Sequence, residues 1–294
     1  MPGHIDIPLD ITSGSLREYS GENLLVAVSR ALEESDRQHH SQRKPYSIWP
    51  LLRSDHDARI LLRIGWASHL RPPTVLLRKG RRWRFGGLIA TAGEAVFEHV
   101  EVASLRSSTP TTEVALSFVS PTLFKRRGAG GRGPDRRHPI PDGELTFRGL
   151  IEKWNVFACA APHDDRAGQE DHVPADVSSA LLSQVEVKQA FIRTEPLPMI
   201  INDAARPDRG FKEWTGFVGD VTFGLTPRAD VKTRSWLAVL GAFATYAGVG
   251  YATTHGFGAV VATPREADVP ATIDPAVPAL RSAPDLARTG GPSV

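Results

Sequence analysis

Apolar and polar positions alternate along the chain with two periods. Residues 4–9 (HIDIPL) carry the two-residue period of a short half-buried strand. Ser20 then stands before Leu24, Leu25, Val28, Ala31 and Leu32, which share one face at helical spacing, so the pattern predicts a serine-capped helix. The polar run 34–43 (ESDRQHHSQR) ends it, and KPYSIWPLL (44–52) is extended from Pro45 and limited by Pro50. Residues 59–64 (RILLRI) read as a central strand. WRFGGLIATAG (83–93), VFEHVEVASL (96–105) and EVALSFVS (113–120) read as further strands.

The stretch KRRGAGGRGPDRRHPIPDG (125–143) breaks the pattern. Its glycines and prolines are incompatible with regular structure, and a domain boundary is expected there, at about residue 130. Beyond it Phe147, Leu150, Ile151, Trp154 and Ala158 mark an amphipathic helix, and residues 162–178 read as a polar loop. VEVKQAFIRT (185–194) and WTGFVGDVTFGL (214–225) are strand-like. Asp230 or Thr233 can cap a helix bearing Trp236, Leu237, Leu240, Phe243 and Ala247, which stops at the glycines of GVG (248–250). A loop, YATTHGFG (251–258), leads into a last short strand, AVVA.

Each half therefore reads as strand, helix, strands, helix, strand. The fold class expected is α+β, two tandem ferredoxin-like (RRM-like) βαββαβ domains over 1–130 and 131–263 with a C-terminal glycine-rich loop. Residues 264–294 hold six prolines and little periodicity, and read as a disordered tail.

Composition narrows the function classes. At 41% hydrophobic residues the 294-residue chain can build real cores. Lys and Arg total 35 against 33 Asp and Glu, a net charge of +2, so anion binding must rest on local clusters rather than a basic coat. The single cysteine, Cys159, excludes an internal disulfide and a multi-cysteine zinc site. MPGHIDIPLD lacks the pattern of a signal peptide, and the uncharged stretch 236–254 is too rich in Gly and Thr for a membrane span. A cytoplasmic protein with no membrane partner is expected.

GVGYATTHGFGAVV (248–261) is the most unusual segment, because four glycines in it let the backbone meet a bulky anion. Dinucleotide and P-loop fingerprints follow a strand and open a helix, and this order is the reverse. A structural tight turn and a loop that holds an RNA or protein backbone are the two readings left. A helix, this loop and then an apolar strand resemble the C-terminal signature of the RAMP superfamily of CRISPR proteins. SFVSPTLFK (117–125), LIEKWNVFA (150–158) and GFVGDVTFGL (216–225) resemble further segments of its precursor-crRNA-processing endoribonucleases, in the same order over residues 4–263.

The resemblance implies a metal-independent cut within each CRISPR repeat, in which the 2′-hydroxyl attacks the adjacent phosphate to leave a 2′,3′-cyclic phosphate and a 5′-hydroxyl. No cofactor is implied. Repeat RNA and finished crRNA are the implied partners, with a CRISPR effector complex and a homodimer left open. The reaction needs a base, an acid and a charge partner for the phosphorane, roles suited to His, His and Lys. By position in the family, RQHHSQRKPYSIWP places the histidine role on His39 or His40 and the charge role on Lys44. Ser29 stands in the first helix where some relatives carry a tyrosine, and it can orient the nucleophile but not act as a base alone. The remaining histidines form no metal-ligand spacing, and no metal is expected.

RNA contacts are expected from Gly248, Gly250, Thr254, His255, Gly256 and Gly258 of the loop. Two basic clusters add to these. Arg78, Lys79, Arg81 and Arg82 surround Trp83, a mix suited to phosphates and stacking. Lys125, Arg126, Arg127 and Arg132 sit in the glycine-rich break, a composition typical of segments that order on RNA. The alternative reading is a non-cleaving RAMP subunit that holds guide RNA in an effector complex. An unrelated ferredoxin-like RNA-binding module is disfavoured by the lack of an RNP1-type aromatic octet.

Overall fold

The computed structural model describes residues 1–33, 44–53, 59–126, 136–159, 172–200 and 210–263. The tail from 264, the stretch 34–43 with His39 and His40, and the stretch 127–135 with Arg127 and Arg132 lie outside the described residues.

The first lobe opens with strand β1 (Gly3–Ser13) and helix α1 (Gly21–Glu33). The Ser20 cap is reciprocal. Its Oγ accepts from the Asn23 amide at 3.4 Å, while Asn23 Oδ1 accepts from the Ser20 amide at 3.0 Å. Leu24, Ala27, Val28 and Ala31 go into the core. Strands β2 (Tyr46–Ile48), β3 (Leu52–Arg53), β4 (Arg59–Trp66), β5 (Arg82–Phe85), β6 (Leu88–Ala92) and β7 (Val96–His99) complete one antiparallel sheet. β7 and β6 share one edge of the long β1, β4 takes the other, and β2 lies beyond β4, which is the ferredoxin strand order. The helix that the duplicated pattern calls for before the last strand is absent. A 3-10 turn (Thr74–Leu77) and the β5–β6 hairpin stand there instead. The expected strand 96–105 also stops at His99, and Val102–Arg106 form a short helix, α2, that buries Leu105.

The second lobe is the fuller version. β8 (Glu113–Thr122) is followed by a ribbon of β9 (Phe124–Arg126) and β10 (Arg136–His138), so the flanks of the glycine-rich break are regular, contrary to the expectation for 125–143. Helix α3 (Gly143–Lys153), capped by Asp142 accepting from the Leu145 amide, continues as a π-turn through Ala158. Helix α4 (Ala175–Gln184) occupies a region partly assigned to loop; Val177 and Leu181, one turn apart, anchor it in the core. Strands β11 (Val185–Ile200), β12 (Lys212–Leu225) and β13 (Val260–Thr263), with helix α5 (Val231–Ala247), give the sheet order β11-β12-β8-β13. β8 thus belongs to the second sheet although it precedes residue 130.

Each lobe has its own core. Phe147, Trp154, Phe217, Phe223 and Phe243 fill the second; Ile5, Ile7, Trp83 and Phe85 fill the first. Trp154 meets Trp236 and Phe243 edge to face, at 5.5 and 5.1 Å. The sequence 236–247, considered above as a membrane span, is this buried α5, and among the described residues no helix is long and apolar enough to cross a bilayer.

The lobes meet where the end of α5 lies against β1, β2 and β4. His4 bonds the Thr245 carbonyl at 3.1 Å, and Ser47 Oγ donates to the Tyr246 carbonyl at 3.2 Å. His69 holds the Phe157 carbonyl through its backbone amide at 2.8 Å. Gly65 makes the approach possible, because a Cβ there would stand 2.3 Å from the Tyr246 oxygen.

Candidate active site between the lobes

A cleft of about 370 Å³ opens at this seam. The run into β2 supplies Lys44 and the strand's first residue supplies Tyr46, and the end of α3 with its π-turn supplies Glu152, Lys153 and Phe157. The loop after α5 closes the third side with residues 250–255. The chain reaches Lys44 directly from the segment that holds His39 and His40.

Ser29 does not line the cleft. Its hydroxyl lies 3.2 Å from the Tyr46 hydroxyl, so α1 acts on the cleft through that tyrosine. Tyr46 was not singled out in the sequence. Neither was Lys153, whose signal was a lysine placed one residue before the buried Trp154. Lys153 Nζ donates to the carbonyls of Ala247 and Gly248 at 2.6 and 3.0 Å and to Thr253 Oγ1 at 3.3 Å. It thereby satisfies the negative end of α5 and ties the following loop to it. Burial pulls its pKa down to about 8.

The glycine loop is shaped by its own needs. Gly248, Gly250, Gly256 and Gly258 all have positive φ, and a Cβ on Gly258 would lie 1.9 Å from the Val249 oxygen. Gly248, Gly256 and Gly258 are buried, whereas Gly250, Thr254 and His255 face the cleft. The amides of Val249, Tyr251, His255 and Gly258 bond to backbone carbonyls. Ala252, also facing the cleft, is the one non-glycine with a left-handed backbone among the described residues, at φ 62°. Such strain at a cleft wall is a common mark of a functional site. His255 has its pKa lowered by burial, against an opposing pull from Glu22, and its Nδ1 lies 3.2 Å from Thr254 Oγ1. A neutral imidazole there can donate and accept one hydrogen bond each.

The basic clusters separate. Arg78, Lys79, Arg81 and Arg82 belong to the β5 region, at the edge of the first sheet opposite β2, and none lines the cleft. Trp83 is 2% exposed with Arg81 over its ring at 5.3 Å, so it is a core residue and not the stacking surface expected of it. Lys125 and Arg126 stand on β9. Lys125 Nζ lies 5.4 Å from the Tyr251 ring, beside the cleft, while Arg126 pairs with Asp142. Among the described residues no three His, Cys, Asp or Glu side chains gather as a metal site requires.

Residues 116–260 match the family model of the CRISPR-associated endoribonuclease Cas6. No curated protein matches the sequence as a relative. Solved structures match nearly the whole chain. A Cas6 product complex is 22% identical with a TM-score of 0.67, covering 90% of this chain and 99% of the other. A product complex of a Thermus thermophilus Cas6 is 20% identical with a TM-score of 0.65, covering 90% and 100%. A Cas6-related protein from Pyrococcus furiosus is 12% identical with a TM-score of 0.54, over 90% and 100%. Over nine-tenths of its length the chain thus has the tandem ferredoxin-like fold of these Cas6 structures, and its residues 116–260 carry the sequence pattern of the Cas6 endoribonuclease family of CRISPR systems.

Proposed function

We propose that this protein cleaves CRISPR precursor RNA within each repeat, in the cleft between its lobes, without a metal ion. The observation that carries the reading is the placement of Lys44. It stands in the cleft directly after the segment with His39 and His40, and it faces a strained loop across from it. A neutral imidazole takes the proton of the 2′-hydroxyl and an imidazolium returns one to the leaving 5′ oxygen. Positioned acid–base help of this kind is worth roughly 10²–10⁴-fold. Lys44 offsets the charge that builds on the phosphorane, and Tyr46, steadied by Ser29, aligns the ribose. The products are a 2′,3′-cyclic phosphate and a 5′-hydroxyl. Support comes from the family match and from the likeness of the fold to Cas6 structures solved with product and with a substrate mimic.

The test is incubation with repeat RNA in chelator, alongside RNA carrying one 2′-deoxy nucleotide at the cut. Cutting only of the all-ribose strand is expected. His39→Ala with His40→Ala should slow cleavage by orders of magnitude while RNA binding survives. Binding without cleavage of any repeat by the native protein would favour a non-cleaving guide-RNA subunit.

A further inference from the structure

Beside the cleft, three elements distant in sequence build a ladder of rings and cations. Trp214 of β12 stacks on Tyr251 of the glycine loop, with centroids 5.7 Å apart and planes at 25°. Phe257 tilts against the same indole at 5.9 Å. The Arg137 guanidinium, from β10, lies 4.1 Å from the Trp214 ring centroid, and Lys212 Nζ lies 5.5 Å from it. Lys125 of β9 sits over Tyr251. Exposure rises along the ladder, from Phe257 at 0% to Tyr251 at 37%, and Tyr251 is the member that lines the cleft.

Phe257 belongs to a small core with Leu123, Leu197 and Met199 against which Trp214 packs, but Tyr251 and the cation over it lie outside that core. Cations over a surface aromatic next to a cleft fit a polymer of flat bases on an anionic backbone, since every base offers a π-face and every link a phosphate. We infer that Tyr251, backed by Trp214 and Arg137, is a stacking platform for one unpaired base of the RNA beside the cleft, with Lys125 and Lys212 meeting flanking phosphates. The inference rests on the RNA reading above and adds a specific subsite to it. The indole behind Tyr251 holds the phenol ring in place before RNA arrives, so little ordering is left to do on binding.

The test is a fluorescence-anisotropy titration of the full chain with repeat RNA, intact and with single abasic sites placed along the strand. Stacking of one base predicts that Tyr251→Ala weakens binding about tenfold or more and that Tyr251→Phe restores it. One abasic position should weaken the native protein by the same factor and have no further effect on Tyr251→Ala. Lys212→Gln should lower the slope of log affinity against log salt by about 0.7, as for one phosphate contact on a single strand. Tyr251→Ala binding as the native protein does, or no abasic position silent in that variant, would overturn the platform. A native protein that binds RNA through the platform yet never cuts it would sink the cleavage reading alone. No RNA binding by the native protein would overturn both.

Discussion

Replacing Lys153 by methionine keeps a long unbranched side chain in place and removes its ammonium group. The structure sets the cost. Two charge-assisted bonds to the Ala247 and Gly248 carbonyls disappear, together with a longer contact to Thr253. Bonds of that kind contribute about 1.5–3 kcal/mol each, and both carbonyls would remain in a buried stretch at the end of α5 with no other donor supplied. Relief of the burial penalty that pulls the lysine pKa down to about 8 works in the opposite direction. A net loss of about 2 kcal/mol results, which for a protein of this size lowers Tm by roughly 4–8 °C. The larger effect falls on function. Thr253 is part of the cleft wall, and releasing it from α5 frees the loop that carries Thr254 and His255. A displacement near 1 Å can cost ~10²-fold in rate, so single-turnover cleavage of repeat RNA should fall at least tenfold. Amide exchange over residues 250–256 should quicken at the same time. A variant with native Tm, native exchange in the loop and native rate would show that Lys153 holds nothing the site needs.

Gly258→Ala forces a methyl group onto the Val249 oxygen at a left-handed position, and stability should fall by more than about 2 kcal/mol; a thermal melt like that of the native protein would contradict this. Ala252→Gly relieves the strained backbone beside the cleft and should raise the urea midpoint by up to about 1 kcal/mol in stability, while Ala252→Val lowers it. Lys153 also predicts a pH dependence. Its folded pKa of about 8 lies below the ordinary lysine value of about 10.4, so between those values the unfolded chain holds a proton that the folded one has released. Stability from this group therefore rises with pH across that window and is flat below it, and Lys153→Met should remove the rise when urea unfolding is followed from pH 7 to 10.

What the sequence displayed well were features repeated along one element. The period of Leu24, Val28 and Ala31 and the run before GVG placed α1 and α5 to within a few residues, because caps and apolar faces are local. Helix α4 was hidden because only Val177 and Leu181 of its ten residues carry the buried face, too short a pattern to stand out beside a polar segment. The basic group around Trp83 misled for a related reason. Its arginines alternate with buried rings, so what resembles a stacking surface in sequence is the polar face of an edge strand. Membership of β8 in the second sheet is set by pairing with β12 and β13, both more than ninety residues later, and no local signal carries that. The same holds for the site. Lys44 could be reached through family order, but Tyr46 and Lys153 become site residues only because α5 ends against both lobes. We place the boundary between lobes in residues 100–112, after the last strand of the first sheet.

The missing side chain at position 65 lets the two lobes close on each other. Gly65 lets main chain approach main chain across the seam, where the His4 and Ser47 side chains add their own bonds, and any larger residue would act as a wedge there. Position 65 thus bears on the width of the cleft without lining it.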